Sequence, residues 1–491
     1  MKEFHHAEIF CEDVQAAKRR FEEGLGMKPR ASRDPPVSMS GSCNGSTESC
    51  LMQAGEAFRI LLTGAVPSPS SVDLDLEDPR DALMMRESLG LRRVNGDGSG
   101  SGFAAAPTRA DVSAFLSEHG CGVKALAVEV EDAEEAFTSS VQSGGYPSSP
   151  PRWFHASTGD VLSEEEAQTL PAVCMSEVRL YGDVDLRFLS RSPLIHPDGE
   201  LPIPGLRYLS GLQERKKGDG EGSVDGSGWG LRWMDHVAGN VPSLDEQVEK
   251  MRRMWELEFF ASYKADESHM RNLQTGLNSM VLSNSDAKVL LTVTEPVYGT
   301  ARKSQIETYL EHNRGPGVQH IAIESSDIFK TVGNIREAGL FNLMKRPRPE
   351  YYEELRDRWL RNPQEPEEGK TKEVKASASV APPVTHEMIN EAERLGILVD
   401  RNDEGIVFQI FTTPVFERPT FFLEIIQRLG CERVESPGGK EGGGQQEEKA
   451  VTVVCPPRTR KSKGGCGGFG EGNFRELFRK VEEFEMENGL A

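Results

Sequence analysis

The order of apolar and polar residues in segment 4–27 predicts a strand followed by an amphipathic helix. Residues 231–260 repeat this plan. Their strand leads into Ser243, which has the spacing of a capping box with Glu246, and then into a second amphipathic helix. Two widely separated segments therefore predict the same pair of elements.

A second pair of segments shows the same correspondence. Residues 122–137 and residues 317–332 each alternate apolar and polar positions, as a half-buried strand does. Each then continues into a helix, which begins at Asp132 in the first segment and at Asp327 in the second. We interpret this correspondence as an internal duplication of the chain.

Further strands are predicted between these repeated units. Residues 280–296 have the pattern of a hairpin, with its turn near residues 284–286. A strand, a helix and several antiparallel strands, all repeated, predict an α+β fold in which curved sheets enclose a pocket. The terminal residues 472–485 predict one more amphipathic helix.

The length of the chain and its polar stretches predict two domains. At 491 residues the chain is too long for one ordinary hydrophobic core. We expect a first domain without metal over 1–212, a flexible linker over 213–228 and a catalytic domain over 229–491. Segments 362–383 and 435–468 have the composition of surface loops or disorder.

Charge and composition exclude several classes of partner. With 57 basic and 78 acidic residues the formal net charge is -21, which disfavours nucleic acid and anionic membranes as partners. The eight cysteines contain no CxxC pair, so neither a structural zinc site nor a disulfide framework is expected. No apolar run approaches the ~20 residues of a membrane-spanning helix. We expect a cytoplasmic protein that acts on a small molecule.

Three polar residues interrupt strands that are otherwise apolar, namely His236, His320 and Glu424. Burial of an unpaired carboxylate is costly, so a compensating cation is expected beside Glu424. Two imidazoles and one carboxylate form the facial triad of non-haem Fe(II) oxygenases, which leaves coordination positions for substrate and O2. With Fe(II) such a site has a net charge of about +1, which favours an anionic α-keto acid.

Each of these residues also has a purely structural interpretation. A single histidine in a strand is more often a core residue than a metal ligand, so neither His236 nor His320 indicates a metal site when taken alone. Glu424 could instead form a buried ion pair with Arg428 or Arg418. These alternatives stay open for each residue considered by itself.

The duplication favours a metal site in the second half only. In the first half, Ala125 stands at the position of His320, and the strand 183–190 offers no glutamate. His6 corresponds to His236 in the other half. We therefore interpret His5 and His6 as packing or surface residues and expect no metal in the first domain.

Longer motifs carry a resemblance to a known family. They include FHHAEIF, RRFEEGLGM and VRLYGDVDLRF in the first half, and DHVAGNVP, GVQHIAI, RPTFFLEIIQRLGC and GGCGGFGEGNFRELF in the second. With these motifs the chain resembles the 4-hydroxyphenylpyruvate dioxygenase family, in its plant-like form, over nearly its whole length. The resemblance implies the vicinal oxygen chelate fold, with duplicated βαβββ modules that form two half-open barrel domains and a C-terminal helix that acts as a lid.

The resemblance also implies a reaction and the residues that carry it. It implies that Fe(II), held by His236, His320 and Glu424, converts 4-hydroxyphenylpyruvate and O2 to homogentisate and CO2. The product would serve tyrosine catabolism or plastoquinone and tocopherol biosynthesis, and the protein would be a homodimer. The resemblance implies catalytic roles for Ser279, Gln305, Gln319 and Gln409, and substrate binding by Phe411, Phe422, Phe469, Phe474, Thr292 and Thr294.

Two threonines depart from the pattern of this family. Where the family usually has Pro-x-Asn before Glu-Pro, this chain has Thr292 and Thr294 on either side of Val293. Threonine is shorter than asparagine and offers one hydroxyl in place of an amide. Two alternatives stay open, namely formation of 4-hydroxymandelate from the same substrate and a metal-free binding protein on the same scaffold.

Overall fold

The computed structural model describes the chain in ten segments. They are residues 1–33, 47–66, 107–196, 199–209, 229–264, 275–361, 382–430, 465, 468 and 470–490. The predicted linker 213–228 lies outside the described residues, as do nearly all of the predicted loops 362–383 and 435–468.

Among the described residues between 3 and 208, ten strands form the first sheet, in the order β10-β2-β3-β4-β1-β5-β9-β8-β6-β7. Its centre is the antiparallel pair β1 and β5, and each of these strands has a parallel neighbour on its outer side, β4 or β9. The strands are β1 Glu3–Phe10, β2 Lys28–Arg33, β3 Thr47–Ala54, β4 Phe58–Ala65, β5 Gly122–Glu129, β6 Pro147–His155, β7 Val161–Leu162, β8 Ala172–Tyr181, β9 Val184–Arg191 and β10 Arg207–Tyr208.

In the described part of the second half, eight strands repeat this topology, in the order β12-β13-β14-β11-β15-β18-β17-β16. Here β11 and β15 form the antiparallel centre, with β14 and β18 as their parallel neighbours. The strands are β11 Leu231–Asn240, β12 Glu258–Lys264, β13 Leu277–Ser283, β14 Leu290–Pro296, β15 Gly317–Ser325, β16 Leu398–Arg401, β17 Gly405–Phe411 and β18 Phe422–Gly430. The predicted α+β fold of duplicated βαβββ modules in two curled sheets is confirmed.

Ten α-helices in the described part of the chain cover and connect the sheets. They are α1 Val14–Leu25, α2 Arg109–His119, α3 Ala133–Gln142, α4 Glu164–Thr169, α5 Leu244–Trp255, α6 Gln305–His312, α7 Ile328–Ala338, α8 Pro349–Arg356, α9 His386–Leu395 and α10 Phe474–Glu487. None of the described helices combines the length and the apolar character needed to cross a bilayer.

The local signals read from the sequence hold in most places. Asp132 and Asp327 are the N-caps of α3 and α7, and each side chain accepts a backbone hydrogen bond from the first turn. The predicted hairpin is the antiparallel pair β13 and β14. The predicted capping box at Ser243 is wrong, because its side chain caps nothing. Instead, Glu295 of β14 accepts a hydrogen bond from the Leu244 amide at 2.7 Å.

One hydrophobic core joins the two halves of the chain. The rings of Phe21 on α1 and Phe341 after α7 meet edge to face, with 5.5 Å between their centroids. Gly24 permits this approach, since a Cβ there would lie 2.7 Å from the Phe341 ring. At Gly239 on β11 a Cβ would lie 2.2 Å from the Tyr181 hydroxyl of the first half. The outer face of β11 is therefore buried against the other sheet.

Candidate metal centre

Three neighbouring strands bring the predicted triad together. His236 lies on β11, His320 on β15 and Glu424 on β18, and all three side chains are buried or nearly so. The Nε2 atoms of His236 and His320 lie 3.3 Å and 3.4 Å from Oε2 of Glu424. One ligand atom from each residue lies within 4.8 Å of the others. Residues almost 200 positions apart thus converge on one point.

This donor set fits a divalent transition metal. Two ligand atoms bound at about 2.1 Å and at a right angle to each other lie about 3 Å apart, close to the separations in this site. Two neutral imidazoles with one carboxylate form the 2-His-1-carboxylate set of non-haem iron sites. Among the described residues, His236, His320 and Glu424 are the His, Cys, Asp or Glu side chains whose ligand atoms lie close enough together to hold one metal ion.

A buried ion pair orients the first histidine. The Asp235 carboxylate accepts hydrogen bonds from Nε and an Nη of Arg428, both at 2.8 Å, and both side chains are fully buried. Its Oδ1 atom also lies 2.9 Å from Nδ1 of His236. A carboxylate at Nδ1 fixes the ring tautomer, so that Nε2 is left for a metal.

This geometry decides between the alternatives considered for Glu424. Arg428 is paired with Asp235 and not with Glu424. Arg418 donates to the backbone carbonyls of Glu118 and His312. Neither arginine of this alternative is an ion-pair partner of Glu424 among the described residues, and the carboxylate faces the two imidazoles instead.

Two β-bulges position adjacent side chains on the inner face. The register between β11 and β15 shifts just before His236, between Met234 and His236, and again between Ala238 and Gly239, opposite Gln319. An extra residue lets two consecutive side chains reach the same side of a sheet. Gln319 and His320 therefore both line the cavity, and the amide oxygen of Gln319 lies 3.1 Å from Nδ1 of His320.

The electrostatics of the triad differ between the two imidazoles. Burial lowers the pKa of His236, but the charge of Glu424 and the hydrogen bonds to Asp235 and Glu424 raise it to about 9. For His320, burial and then the nearby His236 hold the pKa well below its usual value. The carboxylates around His236 therefore favour its imidazolium form when no metal is bound, and a metal cation would displace the additional proton.

The triad opens into a cavity with about 780 Å3 of empty space, which includes the part open to solvent. Its walls include eleven of the residues expected there, and Gln305 stands at the start of α6, behind the N-cap Ser304. Phe469 lies outside the described residues, and of Phe474 only the backbone, the first residue of α10, is described. The expected residues in the wall are His236, Ser279, Thr292, Thr294, Gln305, Gln319, His320, Gln409, Phe411, Phe422 and Glu424.

Aromatic rings and amides surround the metal ligands. The Phe422 ring stacks on His320 at 5.1 Å between centroids, and Phe411 meets the same imidazole edge to face at 5.9 Å. The Gln409 amide donates to Oε1 of Glu424 at 3.3 Å and accepts from Asn473 at 3.2 Å. The start of the terminal helix is thereby linked to a metal ligand.

Asp235, which lies behind His236, and several residues of the cavity wall were not predicted. Asp235 stands next to a predicted ligand, and a buried acid in an apolar strand was a signal that could have identified it. The apolar wall residues carry no such signal, because their position depends on how the strands pair. The additional residues of the wall are Ala238, Ala261, Ser262, Tyr263, Leu277, Val281, Ile306 and Val481.

The first sheet places a guanidinium where the second places a carboxylate. Arg187 of β9 occupies the strand position that Glu424 occupies on β18. Arg187 pairs with Ala127, which pairs with His6. In the same way, Glu424 pairs with Ala322, which pairs with His236. Arg187 lies 3.1 Å from Nε2 of His6. It also donates to Glu8 and to Glu177, each at 2.6 Å. His5 and His6 are buried members of this cluster, so of the two roles expected for them, packing fits and surface exposure does not.

Comparison with known proteins gives the same family that the motifs indicate. The chain is 38% identical over 488 residues to 4-hydroxyphenylpyruvate dioxygenase of Arabidopsis thaliana, covering 99% of this chain and 88% of that protein. It is 36% identical over 490 residues to the enzyme of Daucus carota, covering 99% and 87%. It is 28% identical over 385 residues to that of Danio rerio, covering 78% and 77%. No protein-family model matches the chain.

Comparison with solved structures supports the fold. A mutant of 4-hydroxymandelate synthase from Streptomyces coelicolor superposes with a TM-score of 0.63 at 17% identity, covering 99% of both chains. At this identity the likeness concerns the fold alone. The two plant relatives, by contrast, share more than a third of their residues with this chain over nearly its full length. The chain belongs to the 4-hydroxyphenylpyruvate dioxygenase family.

Proposed function

We propose that this chain is an Fe(II)-dependent dioxygenase that converts 4-hydroxyphenylpyruvate and O2 to homogentisate and CO2. The observation that carries the proposal is the convergence of His236, His320 and Glu424 at the wall of one large cavity. These three residues would hold the metal. When bound, Fe(II) supplies the site for the keto acid and O2 and the oxidising power of the reaction.

The protein's own residues bind and orient the substrate. Phe411 and Phe422 give the cavity flat apolar walls beside His320, against which an aromatic ring can pack. Gln319 and Gln409 each contact a metal ligand and so hold the triad in place. These amides keep the ligand side chains in one orientation before substrate arrives.

A polar group of side chains lies on β13, β14 and α6. Ser279 and Thr294 are cross-strand partners whose hydroxyls lie 3.2 Å apart, and both line the cavity. Gln305 lines the cavity from the first turn of α6. These groups would bind the polar substituents of the substrate and leave its apolar ring to the phenylalanines.

The terminal helix excludes water from the site. Val481 of α10 is part of the cavity wall, and Asn473 at the start of α10 is bonded to Gln409. Phe469 and Phe474 are proposed to contact the bound ring from the same side. Closure of this helix would protect reactive species from water.

The organisation of the chain follows from the same proposal. Domain 1–212 would carry no metal, 213–228 would be the linker and 229–491 would be the catalytic domain. The expected homodimer and the expected cytoplasmic location remain predictions of the sequence.

Product analysis tests the proposed function. The protein is reconstituted anaerobically with Fe(II), mixed with 4-hydroxyphenylpyruvate and O2, and its products are separated by chromatography. We expect homogentisate with stoichiometric oxygen uptake. Formation of 4-hydroxymandelate would refute the proposal and would show benzylic hydroxylation instead. This outcome is tested because Thr292 and Thr294 depart from the family pattern. Protein that binds no iron and takes up no oxygen would indicate a binding protein.

A pair of histidine variants ties the activity to the triad. His320→Ala removes a proposed ligand, so we expect loss of both stoichiometric iron and oxygen uptake. His155→Ala is the control, because His155 lies on β6 of the first sheet and its ring contacts Ser157 and Thr158 of the adjacent loop. Full activity in His320→Ala would refute the assignment of the metal site.

A further inference from the structure

Arg428 connects a metal ligand to the residues that precede the terminal helix. Its Nε and one Nη donate to the Asp235 carboxylate, which lies 2.9 Å from Nδ1 of His236. Its other Nη donates to the backbone carbonyl of Gly468 at 2.5 Å. The guanidinium is fully buried, so it is held between these two groups. Displacement of Gly468 would therefore remove an acceptor from a buried cation, which is costly.

The described residues just before the terminal helix form one closing segment, namely 465, 468 and 470–473. This closing segment contacts both edges of the second sheet, whose first and last described strands are β12 and β16. A Cβ at Gly465 would lie 2.4 Å from the Phe260 ring of β12. The amide of Gly472 donates to the Asp400 carboxylate of β16 at 2.9 Å. The closing segment thus bridges the open side of the curved sheet.

The closing segment reaches a second metal ligand through Gln409. Asn473 donates to the Gln409 side chain at 3.2 Å, and the Gln409 amide donates to Oε1 of Glu424 at 3.3 Å. Gly470 packs on the same amide, since a Cβ there would lie 1.9 Å from Oε1 of Gln409. Two separate chains of contacts therefore join the closing segment to the triad, one to His236 and one to Glu424.

The first half contains the same arginine contact without the triad. Arg191 lies four residues beyond Arg187 on β9, just as Arg428 lies four residues beyond Glu424 on β18. An Nη of Arg191 donates to the carbonyl of Gly199 at 3.0 Å, in the segment that follows β9. An arginine at this strand position therefore holds the following segment in both halves. In the second half the same arginine is also bonded to the carboxylate behind a metal ligand.

We propose that docking of the closing segment is coupled to metal binding, with Arg428 and Gln409 as the positioning residues that transmit the coupling. The docked segment fixes the side chains behind His236 and Glu424, so the triad binds Fe(II) most tightly when the segment is in place. This inference rests on the proposed function, since the triad must be the metal site. Coupling between two binding events is reciprocal, so bound metal must stabilise the docked segment by the same factor.

Gly472→Ala tests the coupling without changing a neighbour of the triad. Its Cβ would lie 2.7 Å from Oδ1 of Asp400, which disturbs docking at the far edge of the sheet. Competition with a chelator under anaerobic conditions should show an Fe(II) affinity about tenfold below that of wild type, as for other losses behind metal ligands. Gly24→Ala is the matched control, because its Cβ would also meet a side chain at 2.7 Å, the Phe341 ring, yet it should keep the wild-type affinity.

Hydrogen exchange of the wild-type protein tests the reverse direction and needs no variant to fold. Anaerobic Fe(II), added without substrate, should slow amide exchange in residues 470–473 by up to the same tenfold factor. A closing segment that merely covers the cavity would exchange equally fast with and without Fe(II). Its Gly472→Ala variant would unfold at a lower urea concentration but would bind Fe(II) as wild type does. Either result would overturn the inference, whereas wild-type protein that binds no Fe(II) would refute the proposed function instead.

Discussion

Replacement of Asp235 by asparagine should weaken both the fold and the metal site. Asp235 and Arg428 are fully buried, and the carboxylate bonds the guanidinium twice at 2.8 Å. The same carboxylate lies 2.9 Å from Nδ1 of His236. Asparagine keeps the shape but removes the charge, and its NH2 group would oppose another donor.

The two effects have different magnitudes. Removal of one partner from a buried ion pair costs about 3–5 kcal/mol, because the guanidinium of Arg428 then lacks its counter-charge. Loss of the carboxylate behind a metal-bound histidine typically weakens metal affinity about 10–100-fold, which is about 1.4–2.8 kcal/mol. The loss of stability should therefore exceed the loss of metal binding in Asp235→Asn.

Urea unfolding of the metal-free protein measures the first effect, and competition with a chelator for Fe(II) under anaerobic conditions measures the second. Asp185→Asn is the matched control. Asp185 is a buried carboxylate of the first sheet that pairs with Arg179 and Lys124, far from the triad. The Asp185→Asn variant should be less stable than wild type and should keep the metal affinity of wild type. An unchanged metal affinity in Asp235→Asn would refute the idea that this carboxylate orients His236.

Three further changes have defined outcomes. Thr292→Pro combined with Thr294→Asn should shift the ratio of products towards homogentisate, measured by chromatography; an unchanged ratio would show that these residues do not direct the chemistry. Gly239→Ala should lower the free energy of unfolding by roughly 1–3 kcal/mol, because its Cβ would lie 2.2 Å from the Tyr181 hydroxyl. Burial raises the pKa of Glu485 on α10 from 4.5 to about 8, so folded protein binds the extra proton and stability falls as pH rises through that window. Glu485→Gln should therefore be more stable than wild type at pH 8 by roughly 1–3 kcal/mol and nearly equal at pH 5; a constant difference would contradict this reasoning.

The sequence predicted the elements and the metal ligands because their signals are local. A histidine or glutamate in an apolar strand conflicts with burial, and this conflict is visible without knowing the fold. His236, His320 and Glu424 were identified in this way, and the structure brings them together. The repeated strand and helix pairs were likewise visible, since each depends on a short periodic pattern.

The features that the sequence did not predict depend on strand register. The sequence indicated that Arg428 could pair with a buried acid, but it did not show which one. Arg428 pairs with Asp235 and not with Glu424, because of the β15–β18 pairing and a bulge in β11. The placement of Gln319 beside His320 in the cavity also depends on a bulge. A bulge moves one residue to the other face, and no short pattern records it.

The duplication places different charged groups at the same position of the two sheets. In the second sheet Glu424 faces two imidazoles, and a metal ion would supply the compensating charge. In the first sheet Arg187 stands at the same register and satisfies Glu8 and Glu177 with its own charge, beside His6. Both centres thus need a cation at the middle of a curved sheet, because buried carboxylates are costly without one. In the first half the polypeptide itself supplies that cation, whereas in the second half the proposed metal ion would take this position and would offer open coordination sites for substrate and O2.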